Sequence, residues 1–359
     1  MMLHLAKIKM RKTKELIDVW QDASEVLKKL HGFEILASLD DSLKSGIEAV
    51  SSGSILLDIA TGIGGFPRSR ITEISGPEGQ GKTSLVLQSI ASVHRNGGRC
   101  AFTDTENSFD PEYAKSLGCK IDKDHFRFPQ IDYFEQFFGV TEVIAPIADL
   151  IALDSIAATP SKAEFDGEYT DQFFASQARV ISQGLRKLIN KISNGKAAVV
   201  FINQLRDNIG AGYGQDRSLT PGGRALKFYA SLRVRVNWIT KQLKAKDAGF
   251  LYDIDPEEPM GSRVRATCIK NKVGIPFKSA EYSFIWGKGI DRIHELFDYG
   301  LEKDIIKRVG NSYEIDSERL GSSKPDALSG LRKHDGLYDL LIQKIKDSWP
   351  YSWEFKYGD

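Results

Sequence analysis

The feature that most constrains the fold of this chain is the segment GPEGQGKT at residues 76–83. It fits the pattern GxxxxGK[ST] and stands between an apolar run, residues 71–75, and an amphipathic stretch, residues 84–94. The glycines let the loop direct several backbone N–H groups at one point, and the following helix N-terminus adds partial positive charge. The segment predicts a phosphate-binding loop between a strand and a helix. A chance glycine turn is the less favoured alternative.

Three side chains complete the chemistry that such a loop needs. Lys82 supplies an ammonium group to the β- and γ-phosphates of ATP, and the Thr83 hydroxyl binds Mg²⁺. Asp154 ends the apolar run 150–154, which makes it the candidate for the second metal carboxylate, with a helix N-cap as the alternative role. The loop residues predicted to surround ATP are Gly76, Pro77, Glu78, Gly79, Gln80, Gly81, Lys82, Thr83 and Ser84.

A further carboxylate is expected to orient the water that attacks the γ-phosphate. Asp104 and Glu106 both follow the apolar run 100–103, and Glu106 is favoured because it lies further beyond the strand. A solvated loop glutamate is the alternative.

The order of apolar segments predicts an α/β fold with a mostly parallel central sheet. Strands are expected at 71–75, 100–103, 150–154 and 198–202, with helices at 84–94 and 179–191 between them. Residues 232–239 and 263–269 alternate apolar with basic residues, as half-exposed strands do, and residues 241–262 are predicted to form an exposed loop or hairpin. We expect an N-terminal helical segment at 1–45, a core at 46–288 and a small α+β C-terminal domain at 289–359.

Composition restricts the remaining possibilities. The net charge of +1 means that any DNA binding must come from a local concentration of Arg and Lys. The three cysteines have no CxxC spacing, which favours buried thiols in a reducing cytoplasm over disulfides or zinc. No apolar run approaches the roughly 18 residues of a membrane span.

Several segments, in order and over about residues 50–290, together resemble the RecA recombinase family. They are SSGSILLDIATGIGGFPRSRITEISGPE, GPEGQGKT, DTENSFDPEYAKSLG, ALDSIAATPSKAEFDGE, SQARVISQGLRKL, VVFINQLR, PGGRALKFYAS and CIKNKVGIPFK. The resemblance implies a RecA-type P-loop core and a DNA-dependent ATPase that converts ATP to ADP and phosphate. It also implies filaments on single-stranded DNA that promote pairing and strand exchange with homologous duplex DNA, and an N-terminal helix that docks on the next subunit.

The resemblance also implies roles for particular residues. Glu106 falls at the position of the family's catalytic glutamate, and Tyr113 would flank the adenine. Gln204 would sense the γ-phosphate and relay its presence to the loop that follows. Lys270 and Lys272 would reach the γ-phosphate of a neighbouring subunit; solvated lysines on a half-exposed strand are the alternative.

Two loops, at 164–176 and 205–224, would hold DNA along the filament axis. Arginines suit backbone phosphates, and aromatic side chains pack against bases. Ordinary loop arginines and core phenylalanines are the alternatives. The predicted DNA-binding residues are Phe173, Phe174, Ser176, Arg179, Arg206, Tyr213, Arg217, Gly222, Gly223 and Arg224.

The sequence departs from the family pattern at a few positions. Gly79 and Gln80 replace two serines that are common in the family's P-loop, Asn107 stands where histidine is usual, and Pro221 is added before Gly222. Two other functions stay open at this point: a ring-shaped motor on the same fold, such as a helicase, and a filament that coats DNA without recombining it.

Overall fold

The computed structural model describes residues 25–30, 47–168, 176–193, 195–207, 218–219, 221–250 and 255–351, with the backbone alone at 206–207 and 218–219. Residues 1–46 and 47–359 form separate compact units. In the first unit residues 25–30 are helical. The rest of the predicted N-terminal segment, 1–45, lies outside the described residues.

The strands and helices predicted from the sequence are present in the second unit, with further elements between and after them. The strands are β1 (Ala49–Val50), β2 (Phe66–Pro67), β3 (Ile71–Gly76), β4 (Cys100–Asp104), β5 (Phe126–Arg127), β6 (Leu150–Asp154), β7 (Ala198–Gln204), β8 (Arg206–Asp207), β9 (Ser218–Leu219), β10 (Leu232–Lys244), β11 (Pro259–Asn271), β12 (Ser279–Ile285), β13 (Gly289–Ile290), β14 (Lys307–Val309), β15 (Ser312–Ile315) and β16 (Glu318–Gly321). The helices are α1 (Ile55–Thr61), α2 (Lys82–Arg95), α3 (Pro111–Ser116), α4 (Phe134–Ile144), α5 (Lys162–Asp166), α6 (Ser176–Ile192), α7 (Gly223–Tyr229), α8 (Arg292–Glu302), α9 (Lys324–Lys333) and α10 (Asp335–Asp347).

The main sheet has the strand order β13-β12-β11-β10-β3-β7-β6-β4-β5. From β10 to β5 neighbouring strands are parallel, and β10 to β13 pair antiparallel. The central strands are continuous buried runs because helices cover both of their faces. The predicted mostly parallel α/β fold is confirmed.

Alternate side chains of the central strands pack into two cores. On one face Ile74 and Phe102 pack with Leu85 and Val86 of α2. On the other face apolar side chains of the strands pack with α4, α6 and α7. This arrangement places the loops after β3, β4, β6 and β7 at one edge of the sheet, where ligands bind in open parallel sheets.

The described residues of the segment predicted as an exposed loop or hairpin, 241–262, form a hairpin; residues 251–254 lie outside the described residues. Strand β10 runs beyond the predicted 232–239 at its C-terminal end, and β11 runs beyond the predicted 263–269 at both ends. Residues 241–242 are exposed as predicted, but the end of the hairpin is held against the unit because Leu243 and Ala248 pack against Ile285, with Phe250 and Met260 beside them. These apolar contacts with the rest of the unit therefore extend the pairing of β10 with β11 beyond the residues that alternate apolar with basic.

The C-terminal region packs around a further apolar core, which it shares with α1. Strands β14, β15 and β16 form a three-stranded antiparallel sheet that packs with α8, α9 and α10. Cys100, Cys119 and Cys268 are free and buried, as predicted. Within the described ranges, the structure contains no helix of the length and apolarity that crossing a membrane requires.

Candidate active site and DNA-binding surface

The loop between β3 and α2 has the geometry of a phosphate cradle. A side chain at Gly76 would collide with the backbone, since its Cβ would lie 2.4 Å from the Val236 carbonyl oxygen. Gly81 is the N-cap of α2 with a φ of 81°, a conformation that favours glycine. Within the loop the Lys82 ammonium donates to the Pro77 carbonyl oxygen at 2.7 Å. Burial lowers the pKa of Lys82, while Asp154, Glu106 and Glu78 oppose that shift.

Thr83 and Asp154 meet at the carboxyl ends of β3 and β6. The Thr83 hydroxyl donates to Oδ2 of Asp154 at 2.5 Å. Burial raises the pKa of Asp154 to about 7, and the negative charges of Glu106 and Asp104 add to that shift, against the Thr83 hydrogen bond. The N-cap alternative for Asp154 fails, because the helix that follows it, α5, is capped by Ser161.

Glu106 accepts hydrogen bonds from two neighbouring strands at this edge. Nε2 of Gln204, the last residue of β7, donates to its Oε1 at 2.8 Å. The Ser155 hydroxyl, directly after β6, donates to the same oxygen, and the Asp154–Ser155 peptide bond is cis. Asp104 folds the loop that carries the glutamate, since its Oδ1 accepts from the Glu106 backbone N–H at 2.9 Å.

These residues fit Mg²⁺ and a polyphosphate. A hydroxyl and a carboxylate oxygen are ligands that Mg²⁺ takes together with water and substrate phosphates. The acidic cluster that raises the pKa of Asp154 leaves negative charge that a divalent cation would offset. Within the described part of the chain, no three His, Cys, Asp or Glu side chains form a metal site by themselves. The donor set therefore fits a cation that is held jointly with a nucleotide.

A pocket with aromatic walls adjoins the loop on the side of β10 and β12. Gly79, Ser84, Tyr113, Trp238 and Trp286 line it. The hydroxyls of Ser84 and Tyr113 lie 2.8 Å apart, and burial raises the pKa of the Tyr113 phenol. An apolar pocket that continues from a phosphate cradle suits a nucleoside base.

Lys270 and Lys272 lie away from this cradle. Lys270 is paired in register with Arg233, which is paired with Glu73 of β3, three residues before Gly76. At about 3.3 Å per residue the pair is therefore set back by roughly 10 Å along the strand from the phosphate loop of its own chain.

Both ammonium groups cover the C-terminal end of α7. Lys270 donates to the carbonyl oxygens of Lys227 at 2.5 Å and Phe228 at 3.0 Å, and Lys272 donates to Phe228 at 3.2 Å. Burial, then the charges of Lys272 and Arg233, lower the pKa of Lys270 to about 8. The Phe228 side chain beside them is 70% exposed.

Comparisons with known proteins agree with this geometry. A family model described as the RecA N-terminal domain matches residues 19–291. Protein RecA of Campylobacter fetus is 42% identical over 327 residues, which are 90% of this chain and 91% of that protein. The chain belongs to the RecA family.

Two further relatives are similar over the same span. Chromosomal protein RecA of Lactococcus lactis is 39% identical over 90% of this chain and 82% of its own length. Protein RecA of a Nocardioides species is 40% identical over 89% of this chain and 88% of its own length. As a RecA-family protein the chain is a DNA-dependent ATPase, with ATP and Mg²⁺ as cofactors. It forms filaments on single-stranded DNA and promotes homologous pairing and strand exchange with duplex DNA in repair. The ring motor and the coating filament are set aside.

The DNA-binding residues predicted from the RecA pattern fall partly within the described residues. Phe173, Phe174, Tyr213 and Arg217 lie outside them, and Arg206 is described by its backbone alone, in β8. Those within them are Ser176, Arg179, Gly222, Gly223 and Arg224.

The described members of that set converge where α6 and α7 begin. The first turn of α6 carries Ser176 and the exposed Arg179, and the first turn of α7 carries the exposed Arg224. The two turns touch at Gly223, where a Cβ would lie 3.0 Å from that of Ala178. The segments that follow the two predicted loops therefore form one surface.

Sequence reasoning missed several residues of this RecA-family site. Ser155 could have been found, since it directly follows the predicted metal carboxylate. Trp238 and Trp286 carry no local signal, because only the pairing of β10 to β12 brings them to the pocket. Asn203 was also missed, and its Nδ2 joins buried Glu73 to the Pro221 carbonyl oxygen, at 3.0 Å from each.

Proposed function

We propose that this protein hydrolyses ATP at the edge formed by β3, β4, β6 and β7, and that Gln204 transmits nucleotide occupancy to the DNA-binding segment 205–224. The observation that carries the proposal is the 2.8 Å hydrogen bond from Gln204 to Glu106. The chain passes from Gln204 directly into β8, which pairs with β9 near the end of the same segment.

Each residue has one role in this scheme. The backbone of residues 76–84 cradles the phosphates, Lys82 neutralises them, and Tyr113 flanks the base. Thr83 and Asp154 hold Mg²⁺, which withdraws charge from the phosphate oxygens when it is bound. Glu106 orients and deprotonates the attacking water, and Ser155 and Gln204 fix its carboxylate.

Gln204 can act as a relay because its amide has two competing acceptors. It donates to Glu106 in the structure described here, and the γ-phosphate would offer a charged acceptor nearby. Both acceptors are charged, but the γ-phosphate carries more negative charge than the carboxylate, and the attacking water would compete for Glu106, so the amide would turn when ATP binds. That movement would shift β8 and the loop after it and favour the DNA-binding geometry.

Completion of the site requires a second protomer. Lys270 and Lys272 are set back from the phosphates of their own chain, so we assign them to the γ-phosphate held by a neighbour, where they would stabilise developing charge. Helix α7 joins these lysines at its C-terminus to Arg224 at its N-terminus. DNA on one end of the helix would thereby position the lysines at the other end.

Arg179, Arg224 and the glycines Gly222 and Gly223 would hold the DNA backbone, together with the other predicted DNA-binding residues. We further propose that residues 1–45 serve oligomerisation, that 46–288 form the ATPase core, and that 289–359 are a C-terminal domain that gathers duplex DNA. A cytoplasmic location suits three free cysteines.

Gln204→Ala tests the relay. We expect ATP binding to persist, DNA stimulation of the ATPase to fall by about 10- to 100-fold, and the affinity for single-stranded oligonucleotide to become independent of ATP. The measurements are phosphate release and fluorescence anisotropy of a labelled oligonucleotide with and without a non-hydrolysable ATP analogue.

Ser155→Ala is the matched control, because it removes the other hydrogen bond to Glu106 but lies on a different loop. It is expected to slow hydrolysis while ATP still raises DNA affinity. If Gln204→Ala keeps a DNA affinity that ATP increases as in the unaltered protein, the relay is wrong.

A further inference from the structure

Two positions of the phosphate loop, Gly79 and Gln80, contact one residue outside it, Trp238. The indole ring of Trp238 packs on the loop, since a Cβ at Gly79 would lie 3.6 Å from its Cη2 atom. The Trp238 backbone N–H donates to Oε1 of Gln80 at 2.7 Å. Gly79 and Gln80 are the loop positions at which this chain departs from the paired serines. The departure therefore belongs to a contact between the loop and β10.

Lys241 adds a positive charge to that contact. Its Nζ lies 5.4 Å from the centroid of the Trp238 ring, in a cation–π arrangement. Lys241 lines the same pocket as Gly79 and Gly81. In the described part of the chain no carboxylate lies within 4.0 Å of its Nζ. Lys244 and Lys246, further along the hairpin, both pair with Glu257.

We propose that Lys241 is a second cationic ligand for the phosphates of the bound nucleoside di- or triphosphate, and that Trp238 positions it. The inference rests on the proposed function, because it takes the glycine loop as the phosphate cradle. A nucleotide that spans the pocket from Tyr113 and Trp286 to this loop carries its phosphates past Gly79 and Gly81, which share the pocket with Lys241.

The Lys241 ammonium group can bind a phosphate without leaving a carboxylate of the described residues. An ammonium group on a ring face gives up no ion pair when a phosphate approaches, so binding gains a charge-assisted contact without first breaking one. Lys244 would have to leave Glu257 first. The structure thus distinguishes two lysines three residues apart on one strand.

Calorimetric titration of the full-length protein with MgADP tests the proposal. Lys241→Gln is expected to weaken MgADP binding by about 5- to 10-fold, as loss of a part-exposed charge-assisted contact would. It should also flatten the salt dependence of the affinity. Adenosine, measured by competition against labelled ADP, should bind equally well, and Lys241→Arg should restore most of the MgADP affinity. Lys244→Gln, the control on the same strand, should match the unaltered protein.

Trp238 is tested as the positioning residue by a double-mutant cycle. Trp238→Leu keeps the backbone N–H that binds Gln80 but removes the ring, so MgADP affinity should fall and Lys241→Gln should add little in that background. Trp238→Phe keeps a ring face and should lie between.

Equal MgADP affinity of Lys241→Gln and the unaltered protein overturns the inference. An equal loss of adenosine and MgADP affinity also overturns it, since that marks a damaged pocket rather than a lost phosphate contact. Lys82→Ala separates the two proposals. If it binds MgADP as tightly as the unaltered protein, the phosphate cradle itself is wrong. If it fails to bind MgADP while Lys241→Gln binds normally, the cradle stands and the role of Lys241 alone is wrong.

Discussion

The two phosphate-directed regions of this molecule are built in opposite ways. The cradle at the carboxyl end of β3 brings its cation, hydroxyl and carboxylates together within one chain, where Thr83 bonds Asp154 and Gln204 bonds Glu106. The pair Lys270 and Lys272 is set back along the sheet and donates to the carbonyl oxygens of a short helix. The first region has the groups to bind a nucleotide within one chain. The second has two ammonium groups that could bind a phosphate, but the phosphate loop of the same chain is out of their reach.

The pKa shifts in the two regions differ in the same way. Burial, with the charges of Glu106 and Asp104 adding to it, raises the pKa of Asp154 to about 7, so in the first region the ionised carboxylate is disfavoured although Lys82 lies near it. Burial, with the charges of Lys272 and Arg233 adding to it and Glu73 opposing it, lowers the pKa of Lys270 to about 8, so in the second region the charged ammonium is disfavoured. Magnesium would satisfy the first, and a neighbour's triphosphate would satisfy the second. If Lys270 and Lys272 act as proposed, the difference teaches that a site can be complete in sequence and still be divided between two protomers.

The largest expected effect comes from removing the second region alone. The double variant Lys270→Ala, Lys272→Ala should lose about 10³-fold in DNA-stimulated ATP turnover, because a cation supplied by a second protein raises the rate of phosphoryl transfer by at least about that factor. Phosphate release with saturating single-stranded DNA gives this number. Nucleotide affinity of the unassembled protein should stay within about twofold, because the cradle is untouched. If the double variant keeps its DNA-stimulated turnover, Lys270 and Lys272 do not act on a neighbour's γ-phosphate, and the contrast between the two regions is wrong.

An intermediate effect is expected at the other end of α7. Arg179→Ala and Arg224→Ala should each weaken single-stranded DNA binding by about 10-fold and reduce the salt slope by about one. Anisotropy titrations between low and moderate salt measure both quantities. An exposed lysine away from this surface, Lys115, provides the control as Lys115→Ala. If either arginine variant binds as Lys115→Ala does, that arginine does not contact the DNA backbone.

The smallest effect concerns stability of the cradle without ligands. Because the folded-state pKa of Asp154, about 7, lies above its usual value of 3.8, the folded state binds more protons than the unfolded state between those values. Stability therefore falls as pH rises through that window and is lowest above it.

Asp154→Asn should relieve this cost. In buffer without Mg²⁺ or nucleotide, the variant is expected to gain about 1–3 kcal/mol in unfolding free energy at pH 8 and less at pH 5. Denaturant unfolding at both pH values measures the gain. An equal difference at the two pH values would mean that Asp154 is not a destabilising buried charge.

Much of this fold followed from local sequence pattern. The buried runs before Gly76 and Asp154 and the amphipathic helices are fixed by periodicity, which burial on both faces of a parallel sheet enforces. Thr83 and Asp154 could be paired from sequence because the carboxyl ends of parallel strands meet at one edge.

Other parts depend on contacts that no local pattern records. The hairpin extends past its alternating stretch because Leu243 and Ala248 pack against Ile285, far along the chain. Trp238 reaches the phosphate loop only through the pairing of β10 with β3. The position of Lys270 on the end of α7 likewise arises from tertiary packing. Its proposed role came from family resemblance rather than from the residues around it.

The division of the ATPase site between protomers is tested most directly by mixing two inactive variants. Lys82→Ala has intact lysines at 270 and 272 but a damaged cradle, and the double variant Lys270→Ala, Lys272→Ala has the reverse. At the interfaces where the double variant's cradle faces lysines of Lys82→Ala, an intact site should form. The account predicts that DNA-stimulated ATP turnover reappears on mixing and reaches about one quarter of that of the unaltered protein at equal concentrations with random assembly. A mixture as inactive as its two components, in filaments shown to contain both, would contradict it.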